Sequence, residues 1–197
     1  MRSNGQTNYS VRYHGKRIEW LKQQHPLRYI SIDVETTGLS CFNDRIVELS
    51  AVLFENGQIK DEFTSLVNPQ CHIPDQVITI HGIDDAMVAN APFADSMIEQ
   101  WNEKMPWLCD PTTVFVAHNA RFDMSFLAQT MQRAGYQADL IYVDVLESAR
   151  RYIHLDNYRL NTVASYFDIS NPHAHRAYAD ALTCGKIMWE LIQRVNG

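Results

Sequence analysis

The segment from Tyr29 to Glu35 alternates apolar and polar side chains, which predicts a β-strand with one apolar and one polar face. Asp33 and Glu35 both fall on the polar face. Two carboxylates about 4 Å apart repel each other by roughly 4 kcal/mol at an effective dielectric constant of about 20, so the fold must place a cation or a proton between them. The segment therefore predicts a divalent metal site on an otherwise buried strand.

An early hairpin and a later alternation of strands and helices indicate the fold class. Asn56-Gly57 joins two extended runs, 45–55 and 58–66, and is typical of a two-residue hairpin turn. Further strands are predicted at 114–117 and 140–143. Helices are predicted at 17–24, 75–81, 84–89, 94–105, 124–134, 144–152, 159–167 and 177–195. This order predicts an α/β fold, with helices on both faces of a mixed sheet.

The size and composition are those of one globular domain with a sizeable core: 197 residues, 46% hydrophobic and 20% charged. The start of the chain lacks the apolar run of a signal peptide, and no stretch approaches the roughly 20 apolar residues of a membrane span. The cysteines, at 41, 71, 109 and 184, show no metal-binding spacing. We expect a cytoplasmic protein with reduced thiols and no membrane contact.

The net charge of −6 hides a basic start, because residues 1–28 hold six Lys/Arg and one acid, Glu19. Nucleic-acid binders usually carry a basic footprint, so the overall charge argues against such a partner while this segment leaves it open. The alternative is an amphipathic helix docked on the core. We predict a basic, partly helical extension over 1–28 and a domain over 29–197.

Two further acids are predicted to face inward from helices. Asp123 lies three and four residues before the apolar stripe of the helix at 124–134, and Asp180 lies four residues before Cys184 on the stripe of the last helix. Asp123 taken alone is equally well explained as a helix cap. Together with the strand pair, these acids make four carboxylates that solvation does not explain.

Four inward carboxylates favour two hard divalent cations, Mg²⁺ or Mn²⁺. Two such ions roughly 4 Å apart stabilise the attacking and leaving oxygens of an in-line displacement, so phosphodiester hydrolysis is the leading chemistry. His175 stands five residues before Asp180, and an imidazole with an ordinary pKa of about 6.5 accepts a proton at neutral pH. His173 is a weaker candidate.

Three motifs occur in order: Asp33-Val34-Glu35-Thr36-Thr37-Gly38-Leu39, Ala117-His118-Asn119-Ala120-Arg121-Phe122-Asp123 and His175-Arg176-Ala177-Tyr178-Ala179-Asp180. They resemble the DEDDh class of 3'-to-5' exonucleases, the superfamily of the proofreading epsilon subunit of bacterial DNA polymerase III. Ile80-His81-Gly82-Ile83 is similar to that family's segment between the first two motifs. The resemblance covers about residues 28–195. It implies an exonuclease domain over 29–197 with a ribonuclease H-like fold, a five-stranded mixed sheet whose second strand is antiparallel.

The resemblance also implies roles for individual residues. Asp33 would bridge both ions, Glu35 and Asp180 would complete the first metal site, Asp123 would support the second, and His175 would be the general base. The residues expected around the terminal nucleotide and its 3'-hydroxyl are Thr36, Thr37, Leu39, His81 and Asn119. Thr37 is also explained by a turn that ends the strand. Asp144 is interpreted as a helix cap rather than a fifth metal ligand.

The substrate class is predicted less sharply than the chemistry. The motifs favour removal of nucleoside 5'-monophosphates from single-stranded or frayed 3' ends of DNA. One alternative is an RNA-trimming or short-oligoribonucleotide exonuclease, distinguished by a pocket for the 2'-hydroxyl; a non-catalytic nucleic-acid-binding module is less consistent with the complete acid set. The chain stops soon after its last helix, so a stable polymerase partner is in doubt, and no oligomeric state is predicted.

Overall fold

The computed structural model describes residues 11–106, 110 and 112–195, so Cys109 and the first ten residues of the basic extension lie outside the described residues. The strands are β1 (Val11–Lys16), β2 (Arg28–Thr36), β3 (Ile46–Glu55), β4 (Gln58–Leu66), β5 (Val114–Ala117) and β6 (Ala138–Asp144). The helices are α1 (Ile18–Lys22), α2 (Asp75–His81), α3 (Asp85–Val88), α4 (Ala94–Lys104), α5 (Ala120–Arg133), α6 (Val145–Tyr152), α7 (Leu160–Tyr166) and α8 (Ala177–Arg194).

The described strands form one mixed sheet in the order β1-β6-β5-β2-β3-β4. β3 runs antiparallel to β2 and β4, and the remaining neighbours are parallel. Asn56 and Gly57 close the β3–β4 hairpin with φ values of 50° and 77°, the backbone that a type I′ turn requires. The predicted α/β class, mixed sheet and early hairpin are confirmed.

The sheet has six strands where the sequence predicted five, because β1 adds to its edge. β1 pairs in parallel with β6, from Val11 opposite Ala138 to Lys16 opposite Val143. Val11 and Tyr13 pack against the core, while Arg12 and the residues from 14 to 16 are exposed. With only two apolar positions, this edge strand leaves too short an alternating pattern to be read from sequence.

Helix α8 lies close to the sheet, and this closeness positions its first turn. Gly185 faces the ring of Phe54, where a Cβ atom would collide with the ring, and the buried Tyr29 hydroxyl donates to the Gly185 carbonyl oxygen at 2.9 Å. The absence of a side chain at Gly185 therefore lets α8 pack directly on β2 and β3. This packing brings Asp180 to the end of β2 that carries Asp33 and Glu35. Among the described residues, no helix is both long and apolar enough to cross a membrane.

Candidate metal and catalytic site

Three carboxylates meet where β2 ends and α8 begins. Asp33, Glu35 and Asp180 each offer an oxygen atom that lies within 4.8 Å of the other two. Asp33 and Glu35 alternate onto the same face of β2 and are half-buried, and Asp180 in the first turn of α8 is buried. This three-carboxylate cluster has the oxygen donors that a divalent cation prefers, so the residues present fit the expected metal.

Asp123 adjoins this cluster from the first turn of α5. Its side chain is buried, and its Oδ1 accepts a hydrogen bond from the backbone N–H of Val34 at 3.2 Å. The inward orientation predicted from the helical stripe is therefore present. Among the described residues, only the other three acids have ligand atoms that all lie within 4.8 Å of one another. Asp123 therefore lies at the border of the three-carboxylate cluster.

The pKa values of these acids reflect their burial and the closeness of their charges. Burial, and then the charges of Asp123, Glu35 and Asp180, raise the pKa of Asp33 well above its ordinary value. Burial, with Asp180 and Glu48, raises the pKa of Glu35 to about 7. Burial also raises the pKa of Asp123, against the hydrogen bond from Val34. Ionising all of these acids together is therefore unfavourable unless a bound cation stabilises their negative charge.

Glu48 is a fifth carboxylate at this site, and it was not predicted. It lies directly opposite Glu35 in the β2–β3 register and has an exposed fraction of 2%. Its oxygens accept hydrogen bonds from Arg176, at 2.6 and 3.1 Å, and from the backbone N–H of Ala177 at 2.9 Å. Glu48 is therefore a paired acid that holds the start of α8. The sequence feature that could have identified Glu48 is an acid placed within the apolar run 46–49.

His175 lies directly before α8, with an exposed side chain and a left-handed backbone at φ 65°. Its backbone N–H donates to Oδ2 of Asp180 at 3.0 Å. A hydrogen bond therefore joins the backbone of residue 175 to a candidate metal ligand. Because the imidazole is exposed, it is accessible to water. His173, the weaker candidate, is also exposed.

Asn171 is a second contact that the sequence did not indicate. Its Nδ2 donates to Oδ1 of Asp180 at 2.6 Å and to Oδ1 of Asn161 at 3.0 Å. The amide therefore links the loop that carries His175 to α7 and α8. No spacing rule points to it, because the partners are 9 and 10 residues away across a loop.

The two threonines predicted to touch substrate also build the turn after β2. Thr36 Oγ1 donates to the Gly38 carbonyl oxygen at 2.6 Å, and Thr37 Oγ1 accepts from the backbone N–H of Arg45 at 3.0 Å. Both side chains are buried, which matches the structural alternative for Thr37. Leu39, by contrast, has an exposed fraction of 87% and projects from the same loop.

His81 and Asn119 occupy different environments. The side chain of His81 is buried at the end of α2; its Nδ1 accepts from the backbone N–H of Ile83 at 3.0 Å, and its buried Nε2 has no hydrogen-bond partner among the described residues. Asn119 is exposed before α5 with φ at 67°. Thus His81 retains an unused polar atom, whereas Asn119 serves the helix start through its backbone.

Asp144 is a helix cap, as the sequence predicted. Its Oδ1 accepts from the backbone N–H groups of Leu146 and Glu147, at 2.8 and 3.4 Å, at the start of α6. The same carboxylate accepts from the backbone N–H groups of Asn119 and Ala120, at 3.2 and 3.0 Å, at the start of α5. One side chain therefore caps two helices, which explains why α5 begins at Ala120, four residues before the predicted 124.

Comparison with known sequences gives consistent matches over most of the chain. The family model for exonucleases, RNase_T, matches residues 30–188. A PolC-type DNA polymerase III from Oceanobacillus iheyensis is 41% identical over 169 residues, which are 85% of this chain and 12% of the polymerase. The PolC-type enzyme of Bacillus subtilis is 36% identical over 168 residues, 84% of this chain and 11% of the polymerase. The chain thus spans about an eighth of the length of these relatives.

The solved structures that resemble this chain are also exonucleases. Exonuclease X, solved with 5' overhanging duplex DNA, is 26% identical with a TM-score of 0.66, covering 86% of this chain and 93% of that chain. Exonuclease I of E. coli, solved with single-stranded DNA, is 17% identical with a TM-score of 0.74, covering 85% of this chain and 41% of that chain. These likenesses confirm the ribonuclease H-like fold.

Proposed function

Because the chain belongs to the exonuclease family, in its DEDDh class, we propose that it removes nucleoside 5'-monophosphates from the 3' end of DNA by metal-dependent hydrolysis. The observation that carries this proposal is the convergence of Asp33, Glu35 and Asp180 within 4.8 Å. The residues that would hold two divalent cations, Mg²⁺ or Mn²⁺, are these three and Asp123. When bound, such ions supply positive charge that stabilises the attacking and leaving oxygens of an in-line displacement.

His175 supplies the base in this proposal. The hydrolytic water must lose a proton as its oxygen attacks phosphorus, and the exposed imidazole takes that proton at neutral pH. The hydrogen bond from the backbone N–H of His175 to Asp180 keeps residue 175 beside the acids. The ion pair with Glu48 holds the next residue, Arg176, in place. The chain thereby holds the backbone of residue 175 beside the acids before substrate binds.

The terminal nucleotide is proposed to lie between the loop after β2 and the start of α5. Leu39 offers an exposed apolar surface for the base or sugar, and Asn119 offers an exposed amide. The buried His81 is proposed to support this turn from beneath, beside the backbone of Thr36. Thr36 and Thr37 contribute by shaping the turn that approaches the 3'-hydroxyl. Residues 1–28 are proposed as an extension to the exonuclease domain at 29–197.

DNA is proposed as the substrate because relatives at 36–41% identity are DNA polymerases and exonuclease X was solved with DNA. The test offers one sequence as 5'-labelled single-stranded DNA, as duplex DNA with a frayed 3' end, and as RNA, each with Mg²⁺ or Mn²⁺. Faster shortening of DNA, with nucleoside 5'-monophosphates as products, is expected. Faster shortening of RNA would replace this substrate with that of an exoribonuclease. A cytoplasmic location is part of this proposal.

A further inference from the structure

A groove lies beside the loop between β2 and β3, outside the three-carboxylate cluster. Its cavity measures about 230 Å³ and is lined by residues at the start of β3, after β4, at the start of α4 and at the end of α5. Arg45 and Arg133 contribute its cationic side chains, and Phe93 contributes a ring with an exposed fraction of 49%. We call this feature the Arg45–Arg133 groove.

The two guanidinium groups of the groove are held by neutral partners. Arg133 donates to the carbonyl oxygens of residues 41 and 42, at 3.1 and 2.7 Å. Arg45 donates to those of residues 43 and 44, both at 2.9 Å. Within the part of the chain that the structure describes, neither arginine forms an ion pair with a carboxylate. Asp95 is the single acid that lines the groove, so the lining carries net positive charge.

The two positive charges also act on each other. Burial, and then the charge of Arg45, lower the pKa of Arg133, so the two guanidinium groups of the groove repel each other. An anion between them would relieve this repulsion. Planar guanidinium groups match phosphate oxygens through paired hydrogen bonds, so phosphate is the anion that the groove suits best.

The groove is connected directly to the acid cluster through the backbone. Arg45 and Thr37 exchange hydrogen bonds of 2.9 and 3.0 Å, and Thr37 lies two residues beyond Glu35, roughly 7 Å along an extended chain. The loop between them exposes Leu39 and Phe42, with exposed fractions of 87% and 74%. Apolar and aromatic side chains interleaved with cations are typical of surfaces that bind single strands.

We propose that the Arg45–Arg133 groove binds a backbone phosphate of the nucleic-acid strand upstream of its 3' end, with the Phe93 ring stacked on an adjacent base. This assignment rests on the proposed function and names a strand-binding subsite separate from the acids. A strand whose 3' end lies at Asp33 and Glu35 would cross the exposed loop and reach the groove. A nucleotide or dinucleotide bound at the acids would be too short to do so.

The test measures binding of a 5'-labelled oligothymidylate of about 12 nucleotides, within the site sizes of single-strand binders, by fluorescence anisotropy in EDTA. The double variant Arg45→Gln/Arg133→Gln should bind about tenfold more weakly, and the slope of log affinity against log salt should fall by about 0.7, the value for one lost phosphate contact on a single strand.

Arg12→Gln is the matched control, because Arg12 is an exposed arginine on β1 that pairs with Asp139; its affinity should equal that of the parent chain. Arg133→Lys keeps the charge but loses the planar group that holds residues 41 and 42. It should bind more tightly than the double variant but more weakly than the parent chain, because lysine keeps the charge without the paired hydrogen bonds. Thermal unfolding followed by circular dichroism verifies that each variant is folded.

Two results would overturn the proposal: an unchanged affinity and salt slope in the double variant, or an equal loss of affinity in the control Arg12→Gln. EDTA prevents metal-dependent hydrolysis, so binding is scored separately from catalysis. A chain that shortens DNA but binds equally well in all variants lacks this subsite and keeps the proposed function. A chain that binds through the groove but shortens neither DNA nor RNA loses the proposed function.

Discussion

The guanidinium group of Arg176 and the buried carboxylate of Glu48 are joined by two hydrogen bonds, at 2.6 and 3.1 Å, across the junction between β3 and α8. Glu48 lies opposite Glu35 in the sheet, while Arg176 directly follows His175 in the chain. The ion pair therefore couples the strand that faces the acid cluster to the segment that carries the proposed base. It also neutralises one of the five carboxylates gathered there.

Arg176→Gln is expected to destabilise the fold by about 1–2 kcal/mol, because it leaves Glu48 buried with the Ala177 N–H as its remaining contact. The Arg176 side chain is 47% exposed, which keeps the cost below that of a fully buried pair. Chemical unfolding of Arg176→Gln, Glu48→Gln and the double variant measures the coupling. Additive losses in the double variant would show that the two side chains do not stabilise each other.

His175→Ala is expected to lower the hydrolysis rate at neutral pH by about a hundredfold to ten-thousandfold, since a general base contributes that much. Metal affinity, measured by titration calorimetry, should be nearly unchanged, because the bond to Asp180 is made by the backbone N–H of residue 175. His173→Ala is the matched control and should keep the parent rate. A parallel loss of metal affinity in His175→Ala would make the imidazole a ligand rather than a base.

Asp144→Ala is expected to destabilise the chain by about 2 kcal/mol, because one carboxylate caps both α5 and α6 and each cap is typically worth about 1 kcal/mol. Asp144→Asn should recover part of this loss, since the amide oxygen still accepts hydrogen bonds. Metal affinity well below the melting temperature should stay at the parent value in both variants. A loss of metal binding without a loss of stability would instead identify Asp144 as a ligand.

Protonation of His118 is expected to destabilise the chain in mild acid, while protonation of Asp33 and Glu35, whose pKa values are raised, acts in the opposite direction. Burial lowers the pKa of His118; its Nε2 donates to the Tyr158 carbonyl oxygen at 2.9 Å, while its buried Nδ1 has no partner among the described residues. The folded state favours the neutral ring, so its contribution is complete above the unfolded pKa of about 6.5 and is lost as the pH falls toward the lower folded value.

Urea unfolding of the parent chain and of His118→Gln between about pH 7 and pH 5 isolates the histidine, which contributes at most about 1.4 kcal/mol per pH unit. As the pH falls, the parent chain should lose stability relative to His118→Gln, while His154→Gln, at an exposed histidine, should follow the parent chain. A difference between the parent chain and His118→Gln that does not change with pH would show that His118 does not contribute.

Much of the fold was predictable because local patterns and tertiary packing agree. The strand at 114–117 and the helix at 75–81 have the predicted bounds, since apolar runs and breakers mark their ends. β1 was missed because a single strand edge with two apolar side chains carries little periodic signal. The start of α5 was misplaced because its cap, Asp144, comes from another element 24 residues away.

The same distinction applies to the site. Asp33 and Glu35 were predicted to share one face of β2, and Asp123 and Asp180 to face inward from their helices, because strand alternation and helical stripes report side-chain direction. Glu48 and Asn171 were missed because their roles depend on partners brought together by the fold, Arg176 at a separation of 128 residues and Asp180 across a loop. The hydroxyls of Thr36 and Thr37 form hydrogen bonds with backbone groups of the turn after β2. The sequence alone does not show whether such a hydroxyl binds the backbone or a ligand.

The most direct test of the central claim is the shortening of 5'-labelled single-stranded DNA by the parent chain and by Asp33→Asn, each with Mg²⁺, with Mn²⁺ and with EDTA. Asn preserves the size of the side chain but removes its charge from the cluster that Asp33 forms with Glu35 and Asp180. We expect stepwise shortening from the 3' end by the parent chain, dependent on the cation and lost in Asp33→Asn. Shortening that persists at the parent rate in the variant or in EDTA, or its absence from the parent chain with either cation, would contradict the account.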